Sequence, residues 1–351
     1  MAEIETPRRK PRSRTGEGGR RLHSAGSAIV VSLGGLLVAV LLNAPGLHKS
    51  ATIQPEGWKR DAALAVTGPL ESLSAALLLD RPRRALKAVL GRSEDDEIDT
   101  AVVVAPEPDE PALDETPVAP PKRERFSPKR TLRLWIAGDS LVVVPGESLL
   151  REVAGNRAIT SVGKIDGRIA TGLERPDVFN WFTRARDQMR SKKPRAVVLM
   201  VGANDDHGFM TGLPEGQEVG SFGSASWQAE YRRRVAAIMD TITRNGAFVV
   251  WIGLPISHDP AQTQRYDTIN AIVQQEASKR PGRAAYLDTY FFFAGEDGGF
   301  AEYIADDTGK LVKMRAEDGV HFERPAGDLI AEKVLERLEE RYDLTSWRKS
   351  G

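Results

Sequence analysis

Four polar residues that can act together in acyl chemistry occur at three places in the chain. Ser140 and Asn204 each follow an apolar run, and Asp318 lies three residues before His321. In nucleophilic acyl transfer a histidine takes the proton of a serine, and a carboxylate orients the imidazole ring. An asparagine amide can donate a hydrogen bond to the oxyanion that forms in such a reaction. These residue types therefore predict serine-based acyl chemistry.

Each of these residues also has a purely structural alternative. Ser140 can be a helix N-cap or turn serine, Asn204 suits a turn, and His321 can be a surface histidine beside a helix cap. In favour of the chemical interpretation, a carboxylate three residues before a histidine in a turn can hold the ring by its Nδ1–H, which leaves the other nitrogen to face a serine. Three of the five histidines fall in the same region as these motifs: His207, His258 and His321.

The elements that position these residues alternate along the chain. Apolar runs predict five strands, over residues 132–137, 158–162, 196–202, 247–254 and 284–288. Helical patterns fall between and after them, over residues 148–154, 177–190, 226–244, 262–279 and 327–341. Such alternation predicts an α/β fold, a flavodoxin-like three-layer α/β/α sandwich with a five-stranded parallel sheet, over residues 131–345. Open sheets of this kind bind ligands at the carboxyl ends of their strands, where Ser140 and Asn204 are expected.

The composition excludes several function classes. The chain has 351 residues, its 49 lysines and arginines balance 49 aspartates and glutamates, and it contains no cysteine. The charge balance gives no indication of a nucleic-acid partner. The lack of cysteine excludes disulfides, thiol catalysis, a lipidated cysteine and cysteine-ligated metals, but it leaves the compartment open.

The amino-terminal residues predict a membrane anchor. Residues 1–24 form a basic tail expected to be disordered and cytoplasmic. Residues 25–47 are uncharged and mostly apolar, and about 20 such residues can cross a bilayer as a helix. The basic flank predicts a single-pass protein with its amino terminus in the cytoplasm and the remainder outside. A cleaved signal peptide and a buried core helix are the alternatives.

Two further segments precede the predicted domain. Residues 48–92 show helical spacing interrupted at Gly68-Pro69 and Arg81-Pro82, which predicts short juxtamembrane amphipathic helices. These can lie on the membrane, pair with a membrane partner protein, pack on the catalytic domain, or simply present a solvated face. Residues 93–130 are rich in proline and acidic residues and predict a disordered linker.

The motifs together resemble the SGNH or GDSL hydrolase superfamily. Its first, third and fifth blocks are similar to the stretches 138–141 (GDSL), 202–205 (GAND) and 318–321 (DGVH). More narrowly, residues 170–177 followed by Phe179-Asn180-Trp181 resemble an uncharacterised bacterial branch of exported members, which tend to carry an amino-terminal anchor. The resemblance implies a catalytic triad of Ser140, His321 and Asp318.

The resemblance also implies an oxyanion hole and a reaction without cofactors. The hole is assigned to the backbone N–H groups of Ser140 and Gly172 and to the Asn204 amide, with Gly163 and Gly167 as alternatives for the second-block glycine. The acidic residues inside two of the blocks, Asp139 and Asp205, receive supporting roles. Serine hydrolysis of this kind needs no metal, and the sequence has no spacing typical of metal ligands.

The loops expected around the site suggest a carbohydrate substrate. They and their edges contain aromatic residues that suit a sugar surface or, equally, anchor the loops in the core: Phe209, Phe222, Trp227, Phe291, Phe292, Phe293, Phe300 and Tyr303. With an outward-facing domain on a tether, we expect an esterase that removes short acetyl-like O-acyl groups from envelope polysaccharide. The alternatives are a cell-wall O-acyltransferase that uses the same triad and a non-catalytic glycan-binding or assembly module.

Overall fold

The computed structural model describes residues 25–52, 58–79, 81, 123–206, 209–214 and 217–345. The predicted tail 1–24 and most of the predicted linker 93–130 lie outside these residues. The chain divides into two compact units, one up to Arg84 and one from Ala85 onward.

The first unit is helical. It contains α1 (Ala25–Leu42), α2 (Ala44–Thr52) and α3 (Trp58–Ala76). Helix α3 continues through Pro69 without a break, so the interruption predicted at Gly68-Pro69 is wrong. Proline removes one backbone hydrogen bond, yet alanine- and leucine-rich sequence on both sides favours the helix. In the described part of the chain, no helix was found with the length and apolar character that a membrane crossing requires.

The second unit is built on a parallel β-sheet. Its strands are β2 (Leu132–Gly138), β3 (Ile159–Ser161), β4 (Asp166–Gly167), β5 (Ala196–Met200), β6 (Phe248–Ile252) and β7 (Ala284–Leu287). The continuous strand order is β3-β2-β5-β6-β7, all parallel. The parallel α/β sheet is therefore confirmed, with one addition: the two-residue β4 also pairs with β2, beyond the end of β3.

Helices cover the sheet. They are α4 (Val143–Ala154), α5 (Trp181–Ser191), α6 (Ala225–Arg244), α7 (Pro260–Ser278) and α8 (Arg324–Arg341). Alternate strand residues face different helices, as the period of two in a strand requires: Ile136 and Val198 meet α4 and α8, whereas Trp135 and Leu199 meet α5 and α6.

The structure adds elements that the sequence patterns did not predict. A short antiparallel hairpin, β8 (Tyr303–Ala305) and β9 (Leu311–Lys313), stands in what was expected to be a loop. Strand β1 (Glu124–Arg125) pairs in parallel with β10 (Tyr342–Asp343) at the end of the domain. The predicted linker is thus too long by its last residues, 123–130, because Phe126 is buried against Tyr342 and secures this segment to the domain.

Candidate active site

Ser140 stands where β2 ends, at the start of a single 3₁₀ turn over Ser140–Val142. The strand reaches this turn through Gly138, at which any Cβ would overlap the carbonyl oxygen of Met200. Asp139 is the N-cap, and its Oδ1 accepts the N–H of Leu141 at 2.9 Å. Glycine therefore permits the close approach of β2 to β5, and the aspartate fixes the turn that presents the serine.

The structure brings Ser140, His321 and Asp318 into one chain of hydrogen bonds. Ser140 Oγ lies 2.8 Å from His321 Nε2, and His321 Nδ1 lies 2.6 Å from Asp318 Oδ2. These residues are 181 and three positions apart, so the long contact is made by the fold and the short one by a turn. Each ring nitrogen has one partner, which is the arrangement that lets an imidazole take a serine proton.

The turn that carries the histidine and its carboxylate is held by its own backbone. Asp318 Oδ1 accepts the N–H groups of Val320 and His321, both at 2.9 Å. Gly319 has a φ of +71°, and a Cβ there would overlap His258. His258 donates its backbone N–H to the Gly319 carbonyl at 3.0 Å. His258 therefore supports the turn, and His207 lies outside the described residues.

The same hydrogen bonds set the charge of Asp318. Partial burial acts to raise the pKa of this carboxyl, but the two N–H groups and the His321 ring outweigh it and lower the pKa to about 2. Asp318 is therefore ionised at neutral pH and can stabilise a protonated His321.

Arg315 is a functional candidate that the sequence reasoning missed. Its side chain is fully buried, and its guanidinium donates to the carbonyls of Ile256 at 2.6 Å and Val320 at 2.7 Å. It also lies over the rings of Phe293, Phe300 and Phe322, at 5.2–5.8 Å from their centres. Burial lowers the pKa of Arg315 to about 10, so the group stays charged at neutral pH. Arg315 thus fastens the 318–321 turn to the segment that follows β6.

Asp139 joins the ends of two neighbouring strands. Besides the N–H of Leu141, it accepts the N–H groups of Gly202 and Ala203, both at 3.0 Å from Oδ2. Its side chain is fully buried, and this burial raises its pKa to about 7 despite the three N–H donors. Asp139 therefore fixes the loop that carries Asn204 relative to the loop that carries Ser140.

Asn204 lies beside the segment that contains Gly172. Its Nδ2 donates to the carbonyl of Thr171 at 2.9 Å. In a trans peptide the N–H points away from the carbonyl, so the Gly172 N–H is directed away from the Asn204 amide. Gly172 instead packs against the Asp205 carboxylate, where a Cβ would overlap Oδ1. The oxyanion role of Gly172 stays a prediction, and the structure gives this glycine a packing role.

Of the two alternatives for that donor, one lies close to the serine loop. Gly167 pairs with Gly138 in the ladder between β4 and β2. Gly163 follows the end of β3, and a Cβ there would meet open space.

Asp205 is fully buried and organises the loop before α5. It accepts the N–H groups of Leu173 and Glu174 at 2.7 and 2.9 Å and the Tyr231 hydroxyl at 2.9 Å. Burial raises its pKa, which the three donors and the nearby Arg234 oppose. Asp205 therefore supports the site by holding the backbone of the loop before α5. The hydrogen bonds of its carboxylate in the described part of the chain are made to that loop and to Tyr231, not to Ser140.

The loop aromatics divide into buried anchors and exposed groups. Trp227 and Phe293 are fully buried, whereas Phe291 is 79% exposed and Tyr303 is 49% exposed. Two of the predicted sugar-facing residues are thus core anchors, and two are open to a ligand. Among the described residues, no group of three or more His, Asp or Glu side chains is arranged to hold a metal.

Comparisons with known proteins give one family and several solved structures of low sequence identity. No curated protein matches the chain. Matching solved structures include a GDSL-like lipase from Bacteroides thetaiotaomicron, with 15% identity over 64% of this chain and 92% of that chain and a TM-score of 0.39. A putative SGNH hydrolase from Slackia heliotrinireducens has 19% identity over 60% and 99%, with a TM-score of 0.37.

A third match is a catalytic mutant of an acetylxylan esterase from Geobacillus stearothermophilus, with 15% identity over 62% and 97% and a TM-score of 0.41. The descriptions of the first two name the type of hydrolase that the sequence motifs resemble. The family model described as "Protein of unknown function (DUF459)" matches residues 133–337. Since that match spans more than half of the chain, this protein is a member of the DUF459 family.

Proposed function

We propose that this protein is a serine hydrolase of carboxylic esters. The observation that carries the proposal is the continuous hydrogen-bond chain from Ser140 Oγ through His321 to Asp318, at 2.8 and 2.6 Å. A serine with a structural role needs no imidazole partner, and a surface histidine does not need a hydrogen-bond partner on each ring nitrogen. The same arrangement supplies a nucleophile, a general base and the group that orients the base.

The first half of the reaction forms an acyl-enzyme. Ser140 Oγ attacks the ester carbonyl carbon while His321 Nε2 takes the hydroxyl proton, and Asp318 stabilises the imidazolium. The tetrahedral intermediate then collapses, the bond to the alcohol oxygen breaks, and His321 returns its proton to that oxygen. In the second half, water attacks the acyl-enzyme with His321 as base, which releases the carboxylic acid and restores Ser140.

Hydrogen-bond donors near Ser140 stabilise the oxyanion. One Nδ2–H of Asn204 is directed to the Thr171 carbonyl, and an amide side chain carries a second N–H. We assign that second N–H and the backbone N–H of Ser140 to the oxyanion. Loss of one such donor typically costs about 10²–10³ in rate.

A short acyl ester on an envelope polysaccharide is the proposed substrate. Phe291 and Tyr303 are exposed on the chain segment that leads to the Asp318 turn, and exposed aromatic rings suit the faces of sugars. Residues 25–47 support placement in the envelope, because they are uncharged, mostly apolar and preceded by a basic tail. We propose that they anchor the chain with the hydrolase domain outside the cytoplasm.

The test uses the full-length protein and its Ser140→Ala variant. We expect the wild type to hydrolyse a small aryl acetate and to be labelled by a fluorophosphonate probe, and the variant to lose both, with turnover lower by at least about 10³-fold. Ser191→Ala, on the exposed end of α5, is the matched control and retains both. Equal turnover in the wild type and Ser140→Ala, with circular dichroism unchanged, would remove Ser140 from the mechanism.

Product analysis tests the substrate. Mass spectrometry of envelope glycans from cells with and without the protein is expected to show additional O-acyl groups when the protein is lacking. Adding a sugar acceptor to the purified enzyme separates hydrolysis from acyl transfer, since only a transferase moves the acyl group to the sugar.

A further inference from the structure

The segment between β4 and α5 is fixed tightly beside the nucleophile. Arg168 donates its backbone N–H to the carbonyl of Gly138, two residues before Ser140, at 2.8 Å. Its own carbonyl accepts the Thr171 hydroxyl at 2.6 Å, and that hydroxyl accepts the indole N–H of Trp181 at 3.1 Å. The Thr171 carbonyl in turn accepts the Asn204 amide. Residues 168–171 are therefore connected both to the strand end that bears Ser140 and to Asn204.

This fixed segment nevertheless leaves Ile169 and Ala170 exposed. Ile169 is 75% exposed, although a large aliphatic side chain gains free energy from burial. Ala170 has a φ of +58°, a left-handed conformation that is unfavourable for a residue with a Cβ. Backbone strain of this kind tends to occur at functional sites, where surrounding contacts hold it. The segment is therefore a rigid and accessible surface directly next to the proposed acyl chemistry.

Two arginines at this surface share one buried carboxylate. Arg168 Nε lies 2.9 Å from Asp166 Oδ1, and Arg184 Nε lies 2.6 Å from Asp166 Oδ2. Asp166 is buried, whereas about a third of each arginine side chain is exposed. In the described part of the chain, Asp166 is the acidic partner of both guanidinium groups, so the cluster carries an excess of one positive charge.

The Arg168 guanidinium is held in position by contacts within the protein. Its guanidinium lies over the ring of Phe179, 4.9 Å from the ring centre, and Asp166 holds its Nε. Arg175, further along the same loop, binds Asp177 with two hydrogen bonds of 2.8 Å and thus has a carboxylate of its own. The arginine pair at Asp166 differs because its charge is only half neutralised while about a third of each arginine side chain is exposed.

We propose that Arg168 and Arg184 form a subsite for an anionic group of the substrate, next to the ester that Ser140 attacks. The ligand is a carboxylate or phosphate group on the alcohol part of the ester, as in an acylated uronic acid or a sugar phosphate. A guanidinium binds such groups with two parallel N–H bonds. This inference rests on the proposed function and narrows its substrate class from polysaccharides in general to acidic ones.

The test measures binding separately from catalysis. Full-length Ser140→Ala protein is titrated with a trigalacturonate, a neutral galactose trisaccharide and a galactose phosphate. We expect at least one anionic probe to bind about tenfold more tightly than the neutral one, with this preference weakened by salt. Whichever anionic probe binds more tightly identifies the anion as carboxylate or phosphate. Equal affinities for all three probes would overturn the subsite.

Charge variants locate the effect. Arg168→Gln leaves Arg184 to pair with Asp166, so the domain keeps a partner for its buried carboxylate, and we expect the anion preference to be lost. Arg168→Lys, which keeps the charge, restores part of it. Arg190→Gln is the matched control, because Arg190 lies on α5 and pairs with Asp187 at the exposed helix end. An anion preference that survives in Arg168→Gln and in Arg184→Gln would contradict the proposal.

Kinetics separate this inference from the proposed function. On otherwise wild-type protein, the ratio of kcat/KM for a carboxylated aryl acetate to that for a neutral aryl acetate is expected to fall about tenfold in Arg168→Gln and to stay constant in Arg190→Gln. If neither ester is hydrolysed but the probes bind through Arg168, the esterase function fails and the subsite stands. If both esters are hydrolysed with no dependence on charge, the subsite fails and the esterase stands.

Discussion

Asp318 keeps its charge at neutral pH because its hydrogen bonds outweigh its partial burial. Its pKa of about 2 lies below the ordinary value for aspartate. The carboxylate therefore stabilises the fold above about pH 4, and this contribution is lost as the pH falls toward 2. Over the whole neutral range Asp318 is therefore available to orient His321.

Asp318→Asn is expected to lower kcat by about 10⁴, since an amide cannot hold the imidazole in the tautomer that accepts the serine proton. KM changes little, because Asp318 faces the histidine and not the substrate. The measurement is steady-state hydrolysis of an aryl acetate at neutral pH. Glu317→Gln, the adjacent exposed carboxylate, is the control and keeps full activity. A similar loss in both variants would show that the effect is only one of local charge.

Asp139 makes the stability of the fold depend on pH in the opposite direction. Its pKa is about 7 in the folded protein and about 3.8 in an unfolded chain. The folded state thus holds this proton more tightly, and the contribution of Asp139 to the free energy of unfolding falls as the pH rises from about 4 to 7.

Asp139→Asn removes that titration. The variant is less stable than the wild type throughout, because an amide cannot accept all three N–H bonds, but the difference is expected to narrow as the pH rises from 4.5 to 7.5. Urea unfolding at four pH values across this range measures it. A difference in stability between the two proteins that stays constant or widens toward pH 7.5 would contradict the raised pKa of Asp139.

Arg315 is the residue that sequence reasoning had no means to identify. Its partners are backbone carbonyls and aromatic rings, and any residue type supplies a carbonyl, so no spacing of side chains marks the contact. In contrast, Ser140, Asn204, Asp318 and His321 stand at strand ends or in a turn next to recognisable glycines. The structure brings Ser140, Asp318 and His321 into contact as their residue types suggest, while it places Gly172 against Asp205.

At the scale of the elements, Arg315 and the His258 backbone together attach the turn that bears His321 to the segment that follows β6. Arg315→Met leaves buried carbonyls without a donor, and we expect it to lower the free energy of unfolding by about 2–4 kcal/mol and kcat by at least tenfold. Arg315→Lys, with one compact ammonium, recovers part of both. Thermal unfolding and aryl acetate hydrolysis are the measurements. Arg283→Met, at an exposed arginine, is the control, and an equal loss there would refute a special role for Arg315.

The approach of β2 to β5 depends on the missing Cβ at Gly138. Gly138→Ala is expected to destabilise the fold by more than about 2 kcal/mol, because the methyl group would overlap the Met200 carbonyl and one strand must move. Gly155→Ala is the matched control: its Cβ would meet only the Glu152 carbonyl, at 3.8 Å, and its φ of −76° suits alanine. Chemical unfolding of both variants decides the point, and comparable stabilities would show that the strands relax easily.

Strands and helices of the domain were predictable where burial produced a clear pattern. The runs around β2, β5 and β6 are almost wholly apolar because both faces of the sheet are covered, and each of these strands is largely or fully buried. The hairpin β8–β9 escaped prediction because its strands have three residues each and none of these residues is buried. The β1–β10 pair escaped because two-residue strands carry no periodicity and form only when distant ends of the chain meet.

On the scale of the whole molecule, the absence of cysteine permits a direct test of orientation. Two variants each introduce a single cysteine. Ser13→Cys places it in the basic tail, and Lys310→Cys places it in the exposed turn of the β8–β9 hairpin. We expect a membrane-impermeant maleimide to label intact cells with Lys310→Cys and to label Ser13→Cys only after lysis. Labelling of both without lysis, or of neither, would refute the proposed membrane orientation.

The pairing of β1 with β10 also determines where the domain is attached. Tyr342 donates its hydroxyl to the carbonyl of Arg195, which directly precedes β5, and the Arg195 guanidinium pairs with Glu124. Both ends of the domain therefore meet at the amino-terminal pole of the sheet. Ser140 lies at the other pole, roughly 20 Å away by the length of a seven-residue strand. The residues that lead into the domain therefore join it at the pole of the sheet opposite Ser140.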